Sequence, residues 1–168
     1  MTELNNSKPI RDAEGIRKSS AKWLSIILTE KRKNKELSDI EESHIRQMCS
    51  VLLWKFSEAQ GSKKNNPYWS DEARKRENLL DESELIHEHV VPRNEIIKFL
   101  FKLEKPSYNE VRDVLNKFCI GVVVTKSEDA LLRDAGFSQK MPKNWDEKDA
   151  FARYTHIDVN IKVTVHTK

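Results

Sequence analysis

The sequence predicts a mixed α+β protein, and three observations carry that prediction. Apolar residues recur at helical spacing through the N-terminal part, Ser and Glu stand three residues apart where helices would begin, and two short runs, 85–91 and 119–125, are rich in β-branched residues. A chain of 168 residues suits one compact unit with a core of its own.

Taken in order, residues 1–15 are polar and aperiodic and read as a loose N-terminal arm. From Ile16, the residues Ala21, Trp23, Leu24, Ile27 and Leu28 form an apolar stripe on a first helix, which ends in the basic run 31–35, suited to the negative end of the helix dipole. Ser38 and Glu41 form a capping box for a second helix, with Ile45, Met48, Cys49, Leu52 and Phe56 on one face and Gly61 as its stop. Residues 61–67 are a loop by composition. Tyr68 and Trp69 follow as an aromatic anchor, and Ser70 and Asp71 lead into a helix to about Leu80. Trp54 and Trp69 are expected to pack in the core. This helical region spans residues 16–80.

Residues 85–91, closed by Pro92, read as a strand, and residues 94–103 as a helix. Glu104 to Pro106 breaks that helix, and Ser107 with Glu110 opens another carrying Val111, Val114, Leu115 and Phe118. The run 119–125 is a buried strand, after which Thr125 or Ser127 caps a short helix with Leu131 and Leu132 inward and Gly136 at its end. Residues 149–154 suggest a helical turn or two. The alternation of Ile157, Val159, Ile161, Val163 and Val165 reads as a half-exposed C-terminal strand.

Composition narrows the function classes. With 38% hydrophobic and 34% charged residues the chain is not of the disordered type, and a net charge of +3 permits attraction to phosphate without identifying it. Cys49 and Cys119 have no CxxC partner, so neither a thiolate zinc knuckle nor a disulfide framework is expected, only two reduced and partly buried thiols. No apolar leader or run of roughly 18 apolar residues occurs, and the expectation is a cytoplasmic protein without membrane contact. A P-loop, GxSxG and GxGxxG are all missing, and HExxH fails because Val91 stands four residues beyond His87.

The chemistry concentrates in His87-Glu88-His89-Val90-Val91-Pro92. Two of the five histidines flank a glutamate on an otherwise apolar strand. Histidine, with an ordinary pKa of about 6.5, accepts protons near neutrality, and carboxylates are the hard ligands that Mg²⁺ and Mn²⁺ prefer. This string resembles the first strand of the HNH, or ββα-metal, nucleases, in which a metal ligand directly precedes the catalytic histidine. The resemblance covers roughly residues 85–135, with residues 120–132 similar to the family's second strand and helix.

It implies a ββα-metal core over residues 81–168, carrying a helical insert at 94–118 and the C-terminal strand. It further implies a single divalent ion, Mg²⁺ or Mn²⁺ rather than Zn²⁺, held by Glu88 and by Asp129, which stands where the family has a helix histidine. His89 would then be the general base and His87 its support, with Arg93, Lys126 and Arg133 contacting the nucleic-acid backbone. The substrate implied is DNA, with RNA as the alternative. The missing helix histidine and strand asparagine keep open a nucleic-acid-binding module without turnover, and the amphipathic N-terminal helices a protein-interaction domain. Oligomeric state is left open, a homodimer included.

Overall fold

The N-terminal helices are specified by their caps and their apolar stripes. In the computed structural model, which describes residues 12–77, 79 and 82–165, helix α1 spans Ala13–Lys33 and is capped by Asp12, whose side chain accepts from the Gly15 amide. The first residues of α1 therefore come from the expected loose arm, and residues 1–11 of that arm lie outside the described residues. Helix α2, Asp39–Ser57, opens on the expected Ser38–Glu41 capping box. It stops at Glu58, before Gly61. The two helices pack on one another and bury Ala21, Leu24 and Leu28 against Cys49, Leu53 and Phe56, each large side chain contributing about 1.5–3 kcal/mol.

Strand β1, Tyr68–Ser70, occupies the expected aromatic anchor, and Ser70 caps the short helix α3, Asp71–Lys75. That helix is shorter than the sequence predicts; Glu77 and Leu79 donate to carbonyls only three residues back, so turns replace it. Strand β2, Leu85–His89, is followed by α4, Arg93–Lys102, and α5, Tyr108–Phe118, with the expected Ser107–Glu110 box. Strand β3, Gly121–Thr125, is buried throughout and runs straight into α6, Lys126–Asp134, capped by Thr125 in a third box with Glu128.

The sheet order is β2-β3-β1-β4. Strands β2 and β3 are antiparallel, with His87 opposite Val123, Glu88 opposite Val122 and His89 opposite Gly121. β1 joins β3 in parallel, and β4, Val163–Val165, closes the other edge antiparallel to β1. Only the end of the alternating tail is strand. Asn160 takes a left-handed conformation (φ 48°), and Ile161 donates back to the Tyr154 carbonyl, so the chain turns while still burying Val159 and Ile161.

The architecture is thus mixed α+β, with the α1, α2, α4 and α5 helices packed together and α6 lying beside β2 and β3. Among the described residues no helix is long and apolar enough to cross a membrane. Trp69 is fully buried as expected, whereas Trp54 is 36% exposed because its ring lies beside the β2 histidines at the edge of the core.

Candidate functional site

A regular strand sends successive side chains to opposite faces, and this decides how the β2 motif is used. His87 and His89 face α2. Glu88 faces the opposite side, where α6 and the C-terminal segment lie. The structure therefore brings Glu88 into the neighbourhood of Asp129 and does not bring His89 to that pair.

On the carboxylate side, Glu88 Oε1 is 2.5 Å from Arg153 Nη2. Arg153 is completely buried and also donates to the carbonyls of Val90 (2.9 Å), Phe137 (2.7 Å) and His89, so its guanidinium fastens the end of β2 to the C-terminal segment. Arg93, close to Glu88 in sequence, lies instead at the start of α4. Burial pushes the Glu88 carboxyl above its ordinary range and Asp129 adds to the rise, with Arg153 and Arg93 opposing it. Tyr154, beside Arg153, is fully buried, and its hydroxyl has no hydrogen-bond partner among the described residues. Burial raises its pKa, and the charges of Glu88, Asp129 and Glu128 raise it further, with Arg153 opposing them.

On the histidine side, His89 Nε2 and Ser57 Oγ are hydrogen-bonded at 2.9 Å, and the Leu53 carbonyl accepts from the same ring. His87 Nδ1 is 3.1 Å from Glu58 Oε1 but out of hydrogen-bonding alignment, and among the described residues neither of its ring nitrogens has a hydrogen-bond partner. Both rings pack against Trp54, with centroids 5.7 Å away. Burial lowers the pKa of His87 to about 4 and that of His89 to about 3, with nearby cations assisting, so both are neutral at pH 7. Gly121 belongs to this pocket too: a Cβ there would sit 2.0 Å from His87 Nε2, so only glycine lets β3 pass the ring.

The three expected phosphate contacts are spread out. Arg93 donates to Ser50 Oγ at 2.9 Å and its guanidinium lies 5.4 Å from the Trp54 ring centre. Lys126 pairs with Glu84 at 3.0 Å, and Arg133 approaches Asp134 at 3.6 Å, both on the exposed side of α6. Arg153, Tyr154 and Ser57 were not legible as site residues. Arg153 read only as one of several flanking cations, and a serine in the last turn of a helix carries no signal by itself.

Among the described residues no group of three or more His, Cys, Asp or Glu is placed to hold a metal. Of the ligands the resemblance implies, Glu88 and Asp129 are the only two, and no third such residue joins them among the described residues. Two carboxylates suit Mg²⁺, which keeps several waters and takes its remaining ligands from phosphate. Burial raises the Glu88 pKa and the Asp129 charge adds to it, a repulsion that a cation beside Glu88 would relieve. No protein-family model matches the chain, and no match appears among the curated proteins or the solved structures.

Proposed function

We propose that the chain is a metal-dependent endonuclease that hydrolyses DNA phosphodiester bonds in an HNH-like manner. What supports this reading is the packing of α6, which carries Asp129, beside β2, which carries Glu88, so that the Asp129 charge adds to the burial that raises the Glu88 pKa. Helices α4 and α5 stand between β2 and β3 in the chain, and β3 runs straight into α6. A bound Mg²⁺ or Mn²⁺ would supply charge stabilisation at the phosphate and the leaving oxygen.

The protein's own groups divide the remaining work. Glu88 and Asp129 hold the ion, and Arg153 keeps the Glu88 carboxylate in place from below. His89 is neutral, the state needed to accept a proton, but a pKa of about 3 makes it a weak base while it stays buried against Ser57. Because its ring lies on the face opposite Glu88, this reading requires β2 to turn that ring from Ser57 towards the ion's water when DNA binds, with His87 packed behind it. Arg93, Lys126 and Arg133 meet the backbone, Arg93 through its planar fork.

A second reading has its own observation. His89 sits on the face opposite Glu88, and this favours a nucleic-acid-binding module that does not cut. Purified protein incubated with supercoiled plasmid in Mg²⁺ and in Mn²⁺ separates the two. The nuclease reading expects nicking that EDTA stops and that His89→Ala and Asp129→Asn abolish. Retarded but intact DNA selects the binding module, and His89→Ala cutting as fast as wild type removes His89 from the mechanism.

A further inference from the structure

We propose that the cavity enclosed by α1, α2, α5 and the 60–68 loop binds a phosphate monoester. Its volume is about 300 Å³, within the range of small-molecule sites. Among the described residues, the only two charged residues on its wall are Arg17 of α1 and Arg112 of α5, and no carboxylate lines it. Asn66 and Asn116 add amide groups, and Tyr68 an aromatic ring. A wall with two guanidinium groups, neutral hydrogen-bonding groups and no acid is built for an anion.

The two arginines are not used up by the fold. Both guanidinium carbons lie against Phe56, 5.8 Å and 5.3 Å from its ring centre, which fixes their planes. Arg17 has no carboxylate partner among the described residues. Arg112 Nη2 meets both oxygens of Glu14 at 3.0 Å, and its Nη1 is buried with no acceptor among the described residues, so a small turn of the guanidinium is needed to bring that donor to a ligand in the cavity. Glu14 is half-exposed and lies outside the wall, so one carboxylate faces two cations and a net positive charge is left for a ligand.

Ser57 also lines this cavity, and it is the residue hydrogen-bonded to His89 at 2.9 Å. An anion seated here therefore lies one side chain from the motif histidine, on the face away from Glu88 and Asp129. The proposal does not rest on metal-dependent hydrolysis. Phosphate monoesters come from free nucleotides and from the ends of nucleic-acid strands, and the cavity recognises what they share.

The test is calorimetry and NMR titration of the full chain in EDTA with inorganic phosphate, 5′-AMP, and a short single strand with and without a 5′-phosphate. Saturable binding is expected, stronger with the 5′-phosphorylated strand than with its unphosphorylated twin if the ligand is a strand end, and strongest with 5′-AMP if it is a nucleotide. Arg17→Gln, on a half-buried position of α1, should weaken binding about tenfold, the value of one charge-assisted hydrogen bond. Glu14→Gln should tighten it, because Arg112 is released, and this variant leaves the cavity wall intact. No saturable binding by any of the four ligands, or affinities unmoved by both substitutions in variants with wild-type circular dichroism, would overturn the proposal.

Discussion

At the residue scale, the side chains that matter most in β2 are those whose partners come from elsewhere in the chain. Arg153 reaches back to Glu88 and to three carbonyls, and removing one member of a buried ion pair leaves the other charge unpaired. Arg153→Ala should lower the stability measured by urea denaturation by about 3–5 kcal/mol. The histidines set a pH dependence of definite sign. Their folded pKa values, about 4 and about 3, lie below the ordinary 6.5, so between pH 6.5 and 4 the unfolded chain binds more protons and acid destabilises the fold. Glu88, whose pKa is raised, acts in the opposite sense, so the comparison is with a variant. Wild type should lose on the order of 1 kcal/mol per pH unit per ring as pH falls from 6.5, and His87→Gln should show a shallower slope in melting temperature against pH. Equal slopes would remove His87 as the cause. The motif itself was readable, because two histidines around a glutamate on an apolar strand stand out within six residues. Arg153 was not, since its contacts with Glu88 and His89 cross more than sixty positions of sequence.

At the element scale, the helix starts were legible and the strand ends were not. Capping boxes are local chemistry, a side chain and an amide three residues apart, so Ser38–Glu41 and Ser107–Glu110 could be read directly and both are present. The Thr125–Glu128 box joins β3 to α6 and also places Glu128 Oε2 2.6 Å from Ser70 Oγ, tying α6 to the residue that caps α3. Thr125→Ala should cost about 0.5–2 kcal/mol and loosen the position of Asp129, visible as faster amide exchange in the first turn of α6. Strand boundaries depend on partners. Strand β1 exists because Trp69 aligns with Val123 of β3, and among the described residues of the tail Val163–Val165 are those that pair with β1. Of the alternating tail Val159 and Ile161 are buried while Ile157 and Val165 are exposed, and the left-handed Asn160 bends the chain so that the single strand the alternation suggests does not form over 157–162. Gly121 is a further case of tertiary demand, and Gly121→Ala should destabilise by roughly 1–3 kcal/mol by forcing the His87 ring aside.

At the scale of the whole molecule, the sheet is a partition. Carboxylates, Arg153 and Tyr154 occupy one side of β2, and the neutral histidines, Trp54 and the arginine-lined cavity occupy the other. The mixed α+β class followed from the sequence because periodicity distinguishes helix from strand. The two-sided arrangement did not, because adjacency in sequence made Glu88 and His89 look like one site while the strand's twofold period sends them apart. The nuclease reading is carried by the first side and depends on a divalent ion between Glu88 and Asp129. Asp129 is the cleaner probe, since replacing Glu88 would also leave the buried Arg153 unpaired. The deciding measurement is the rate of supercoiled-plasmid nicking in Mn²⁺ by wild type and by Asp129→Asn of equal thermal stability. The account predicts nicking by wild type and a rate at least about 100-fold lower for the variant. Intact plasmid with wild type, or equal rates for the two proteins, would contradict it.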